Sequence, residues 1–153
     1  MIPFSRLMIH ESYKAKYRYF DISKEIVLKN QMKSQYLVLI TLLSIIAVGL
    51  VGIPFGDPRF IGVAILVELL FVTLAIFVTK GYTQSFYICI IVASLIIVGN
   101  SLTTAHIHRM MTFVKPVNTI VLVIGGYILQ ALLIYSSTTA IMDKMRTTTT
   151  TYH

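Results

Sequence analysis

Four apolar stretches, residues 36–55, 60–79, 85–105 and 117–141, dominate the chain and fix what it can fold into. Each is close to the ~20 residues that cross a hydrocarbon core roughly 30 Å thick as a helix. Backbone inside hydrocarbon has no water to bond to, so only helices or closed barrels can span it. Barrel strands would be shorter and would alternate apolar with polar residues, and these stretches do neither. The sequence predicts an all-α integral membrane protein, a four-helix transmembrane bundle preceded by an amphipathic, interfacial N-terminal segment.

A soluble alternative fails on composition. Hydrophobic residues make up 56% of the 153 positions and charged residues only 12%, about half the charged share of a soluble domain. A chain this short has too much surface for its volume to hide that apolar content from water. It has length for one bundle-sized domain. The formal charge of +7 then points to anionic lipid headgroups, each nearby Lys or Arg adding roughly 1 kcal/mol of attraction. No nucleic-acid partner is expected.

The links between spans are short. "GDPR" (56–59) and "KGYTQ" (80–84) are Gly-, Pro- and Asp-containing turns, so neighbouring helices are expected to run antiparallel. Pro116 opens the fourth span, where a missing N–H costs little. With four spans, both tails share a side with Lys80. That side carries ten basic residues, seven of them before Tyr36 together with Lys80, Lys144 and Arg146, against Arg59, Arg109 and Lys115 opposite. The positive-inside rule places both termini in the cytoplasm. The expected location is the plasma membrane of a prokaryote or an organellar inner membrane. No cleavable signal peptide is expected, because the first apolar run starts only near Tyr36.

Residues 1–35 form a leader that interleaves basic and aromatic side chains. Lys14, Lys16 and Arg18 sit among Tyr13, Tyr17, Tyr19 and Phe20, as in a segment with rings at headgroup depth and cations on phosphate. Ile22, Ile26 and Val27 share a helical face, which suits an in-plane helix, though a solvated arm or a docking arm for a partner subunit reads equally from the pattern. Residues 142–153 end in "RTTTTTYH", a low-complexity tail expected to fray.

Glu68 is the one ionisable residue within a span. A carboxyl near the bilayer centre costs about 2.5–3.5 kcal/mol on insertion scales, so it normally has a partner or a purpose. Hydrocarbon favours its protonated form. At ~1.5 Å per residue from each span centre, Ser44, Glu68, Ser94 and Gln130 fall within roughly 3 Å of the midplane. One polar side chain per helix at one level reads as an internal hydrogen-bonded layer, with Gln130 as the expected partner of Glu68. The layer either fixes helix register or marks a proton or cation site, although conduction normally needs a series of polar groups and the flanking turns are aliphatic. Asn100, Ser101, Thr103 and Thr104 make the outer end of the third span polar, and their hydroxyls are expected to bond to the preceding turn or to water. Gly125, Gly126 and Ala131 leave the fourth helix smooth for close packing.

"HIHRMM" places His106, His108, Met110 and Met111 together at the outward end of the third span. Imidazole and thioether ligands favour copper. On a helix the four groups diverge, and on extended backbone only His106 and His108 share a side. The bland reading is an interfacial turn, with Arg109 and Lys115 on lipid phosphates. His10 and His153 lie too far off to complete a site. Cys89, alone in an apolar run, reads as a small hydrophobe. No Walker loop, Gly-x-Ser-x-Gly or His-Glu-x-x-His motif occurs.

With no catalytic motif and no required cofactor, the expected function is a non-catalytic accessory subunit of a larger membrane complex, such as a respiratory or membrane-oxygenase assembly. Its partners would be the anionic bilayer and other membrane subunits. A small homo-oligomeric channel or transporter using Glu68 is the alternative. An extracytoplasmic copper-handling protein using His106 and His108 is the third.

Overall fold

The computed structural model describes residues 4–55, 58–103 and 116–150, almost all of them helical. Helix α1 runs Phe4–Gly52 and passes into a 3₁₀ turn at Ile53–Phe55. A second 3₁₀ turn, Pro58–Phe60, leads into α2, Ile61–Thr79. Helix α3 covers Thr83–Leu102. Helix α4, Pro116–Val123, a π-helical turn at Ile124–Ile128 and helix α5, Leu129–Thr150, follow one another without a break. Four segments are long and apolar enough to cross a membrane: Leu28–Gly52, Pro58–Thr79, Thr83–Leu102 and Thr119–Arg146.

The leader and the first span share one 49-residue helix. Neither Gly nor Pro occurs from Phe4 to Val48, so once the helix is nucleated nothing in the chain stops its propagation. The same reason carries α5 on to Thr150, past the point where the low-complexity tail was expected to fray. The side chains of Lys14, Lys16 and Arg18 lie outside the described residues.

The α2–α3 corner shows how a short link is made. Gly81 has φ of 76°, the left-handed conformation that glycine adopts without strain. Its N–H donates to Val78 O (3.0 Å), and the Tyr82 N–H reaches back to Phe77 O (3.3 Å), the paired bonds of a Schellman C-cap. The apolar contact that accompanies this cap is Tyr82 edge-on to Phe77, with ring centroids 6.0 Å apart.

The helices bury stripes at heptad-like spacing: Val38, Leu42 and Ile45 on α1; Phe71, Leu74, Ala75 and Val78 on α2; Phe86, Cys89 and Ala93 on α3; Leu133, Ala140 and Ile141 on α5. Helix α5 packs along both α1 and α3, while α2 lies mainly on α1. Small residues let the backbones approach, with Ser85, Ser136 and Ser137 buried beside Cys89, Ala93 and Ala140. This end is also pinned by polar contacts. Gln35 Nε2 donates to Val78 O at 2.6 Å. Lys144 Nζ donates to Gly81 O and Thr83 Oγ1, both at 2.7 Å, and lies 5.6 Å from the Phe86 ring centroid. Outward faces carry Ile40, Leu50, Leu66, Leu69, Ile91 and Leu95, all exposed, a surface that calls for an apolar solvent.

Candidate functional site

Each stripe changes character as it leaves the Lys144 end. On α1 the inward positions after Val38, Leu42 and Ile45 are Gly49 and Gly52. On α2, Glu68 stands one turn before Phe71. On α3 the run Phe86, Cys89, Ala93 continues through Ile96 to Asn100, and on α5 the stripe that ends at Leu133 begins at Gln130. Where two glycines replace branched side chains, the helices leave a half-open cavity of about 580 Å³. It extends from Phe71 and Gln130 to Ile53, Phe60 and Thr103 at the helix ends.

The glycines set the geometry. A Cβ on Gly49 would overlap the Glu68 carboxyl, so the acid lies directly on the α1 backbone. A Cβ on Gly52 would come within 2.7 Å of Val121 Cγ1, and one on Gly125 within 3.1 Å of Val48 Cγ1, so α1 interlocks valine with glycine against α4 and the π turn. A Cβ on Gly126 would meet the Asn100 amide. These are the close approaches expected of Gly125 and Gly126. Ala131, by contrast, is exposed.

The π turn explains the two amides. A π turn takes one backbone carbonyl out of the i→i+4 ladder; here Leu129 N–H bonds to Ile124 O, five residues back. Side-chain amides reach carbonyls of that turn: Gln130 Nε2 donates to Gly125 O at 3.0 Å and Asn100 Nδ2 to Gly126 O at 3.3 Å. One N–H of each amide is therefore engaged. Glu68 Oε2, Gln130 Oε1 and, in the filled core, Ser137 Oγ are buried without a hydrogen-bond partner. Gln130 is only 2% exposed.

Of the expected polar layer, Glu68 and Gln130 share the cavity wall, but no hydrogen bond joins them, since the Gln130 amide is turned to Gly125. Ser44 Oγ bonds back to Ile40 O at 2.9 Å, and neither Ser44 nor the half-buried Ser94 lines the cavity. At the end of α3, Ser101 and Thr103 donate to Ile97 O and Gly99 O, both at 2.8 Å, as hydroxyls at helix ends do. Asn100 instead crosses to the π turn, and Gly49 supplies the seat for Glu68; neither role was read from the sequence. The heptad phase Val38, Leu42, Ile45, Gly49, Gly52 was the signal for the second. His106, His108, Met110, Met111, Arg109 and Lys115 lie outside the described residues. Among the described residues no three His, Cys, Asp or Glu side chains come together.

No family model, curated protein or solved structure matches the chain.

Proposed function

We propose that the chain is a multi-pass membrane protein that binds or transports a small molecule through the Glu68 cavity, without catalysis. The four helices form an antiparallel bundle, a reading supported by contacts at both ends: Gln35 meets Val78 while Gly49 meets Glu68, and Lys144 meets Gly81 while Gly126 meets Asn100. The basic-residue count puts both termini in the cytoplasm, so the cavity belongs to the extracytoplasmic half. The membrane is a prokaryotic plasma membrane or an organellar inner membrane.

The observation that carries this reading is the cavity itself, about 580 Å³ and mostly apolar, with Glu68, Asn100 and Gln130 among its lining residues. A largely apolar cavity of several hundred Å³ with a few polar groups has the size and chemistry of a ligand site. Val38, Leu42, Val78 and Leu133, all at 0% exposure, close the cytoplasmic half, which favours a one-sided site over a continuous pore. The test is a thermal-stability screen of purified protein in nanodiscs against amphiphiles of varied headgroup. At least one should raise the melting temperature of the native chain but not of Gly99→Leu, which places a side chain in the cavity wall. Uniformly flat responses would defeat the reading.

A second reading, an accessory subunit of a larger membrane assembly, is favoured by the reach of α1. It begins at Phe4, 24 residues before its apolar segment starts at Leu28 (28 − 4), leaving roughly 36 Å of helix beyond that segment for a partner to grip. Mild detergent extraction separates the two, since a subunit comigrates with other polypeptides and an autonomous binder does not.

A further inference from the structure

The polar side chains on the cavity wall bond largely into the protein. The Glu68 carboxyl lies against bare backbone at Gly49, Gln130 and Asn100 each donate one N–H to the π turn, and the Thr103 hydroxyl bonds to Gly99 O. Glu68 Oε2 and Gln130 Oε1 are buried and offer almost no surface to the cavity. What faces the open space is chiefly hydrocarbon, from residues such as Ile45, Val48, Phe71 and Ile96. Water gains little in its depth, since an ordered water needs about 2–4 polar partners, and a void would rob the lining of dispersion contacts. An aliphatic chain restores those contacts.

The opening and the depth indicate the source of that chain. Helix α2 packs mainly on α1 and α3 mainly on α5, so the seam between α2 and α3 is the loosely closed one. Phe60 and Val63 on its α2 side are 64% and 61% exposed, Gly99 on its α3 side is exposed, and all three line the cavity. Bilayer hydrocarbon adjoins the seam, because the outward faces of both helices are apolar. From Phe60 to Phe71 is 11 residues (71 − 60), roughly 16 Å of helix, and half of a ~30 Å hydrocarbon core is roughly 15 Å. Beyond Phe71 the core is filled by Leu42, Leu74 and Leu133, so the cavity is one leaflet deep and ends near the midplane. We propose that the cavity seats one acyl chain of a bilayer phospholipid from the leaflet opposite the termini, entering through the α2–α3 seam, its methyl end at Phe71 and its glycerol end beside Phe60. The inference rests on the reading of this cavity as a binding site. Such a chain passes from hydrocarbon to hydrocarbon, so entry carries no desolvation cost and packing decides it. Gly99, within one turn of the end of α3 at Leu102, lies at the mouth, where the chain gives way to headgroup and water.

The chain contains no tryptophan, so a single introduced Trp reports on its own surroundings. Phe71 and Phe86 are each 1% exposed, and of the two Phe71 alone lines the cavity. Full-length Phe71→Trp and Phe86→Trp are reconstituted in phosphatidylcholine brominated near the methyl ends of its acyl chains. Bromine quenches on contact, so Phe71→Trp should lose at least about threefold more of its fluorescence than Phe86→Trp. Gly99→Leu, whose Cβ meets nothing within 4 Å, should return Phe71→Trp to the Phe86→Trp level. Ile96→Trp, on the α3 wall, serves as the reporter if Phe71→Trp does not fold. Equal quenching of the two rings, or quenching that Gly99→Leu leaves unchanged, would overturn the proposal. Where the bromolipid spares Phe71→Trp, aqueous acrylamide separates this proposal from the reading beneath it. Acrylamide quenching that Gly99→Leu abolishes would overturn the acyl chain and leave the cavity a binding site for a water-borne molecule. Resistance to both quenchers would mean that protein, from this chain or a second copy, fills the space, and would overturn both.

Discussion

From Val38 to Ile45, the inward stripe of α1 meets Phe71, Leu74, Phe86, Cys89 and Leu133 in a filled core; one turn on, Gly49 and Gly52 leave a cavity. The two halves use the same helices, the same spacing and the same apolar outer surface. They differ in side-chain volume along one stripe and in which polar side chains cross between helices. At the Lys144 end the polar side chains that cross between helices are engaged: Gln35 on Val78 O, and Lys144 on Gly81 O and Thr83. At the Gly52 end Asn100 crosses to Gly126 O, while Glu68 Oε2 is buried without a partner. In lipid, burying hydrocarbon drives little helix association, so packing and hydrogen bonds decide stability. The filled half therefore holds the fold, and the hollow half is free to do something else.

The largest effect should come from the filled half. Phe86→Ala removes a fully buried ring and the face beneath Lys144, and should cost about 3 kcal/mol in reversible unfolding from mixed micelles. Phe60→Ala, at the mouth of the cavity and 64% exposed, should cost less than about 0.5 kcal/mol. Equal losses would erase the distinction between the halves. Gly49→Ala makes the Glu68 carboxyl, the far end of a flexible side chain, swing off the α1 backbone, and should change stability by less than about 1 kcal/mol because the helix-propensity gain offsets the shift. Gly62→Ala, where a Cβ meets nothing within 4 Å, should gain up to about 1 kcal/mol from helix propensity.

Lys144→Met should lower stability by about 1–2 kcal/mol, through loss of the bonds to Gly81 and Thr83 and of the ring contact. Amide exchange at the α2–α3 corner should rise with it, while exchange around the π turn stays unchanged. Glu68→Gln, which keeps shape and breaks no hydrogen bond, should also move stability by less than about 1 kcal/mol. A loss of several kcal/mol there would mean that Glu68 holds the bundle together, and the division of labour would collapse.

Much of the filled half was legible. Four helices long and apolar enough to cross a membrane were expected and are found, because apolar length and Gly/Pro punctuation are written locally, although the helical run that contains 117–141 goes on to Thr150. The first span was read as starting at residue 36, whereas α1 begins at Phe4, since charge composition marks a solvent boundary and a helix does not have to end there. Depth arithmetic placed Glu68 and Gln130 at one level, and both line the cavity. It could not supply their rotational phase. When the outside is as apolar as the inside, the sequence carries little amphipathic contrast to show which way a side chain faces. The π turn was hidden for a related reason: its two glycines allow it, but the amides that bond to it come from Gln130 and from Asn100 on another helix.

The most direct test of the division into a filled and a hollow half compares two thiols in one membrane. Cys89 is fully buried in the filled half, and Gly99→Cys, made in a Cys89→Ala background, puts a thiol on the cavity wall. Sealed vesicles of both orientations are treated with a small, charged methanethiosulfonate. The Gly99→Cys thiol should react from the face opposite the two termini and from that face only, while Cys89 in the native chain stays unmodified from either side. Modification of Cys89 at a rate matching Gly99→Cys, or no reaction at Gly99→Cys from either face, would contradict it.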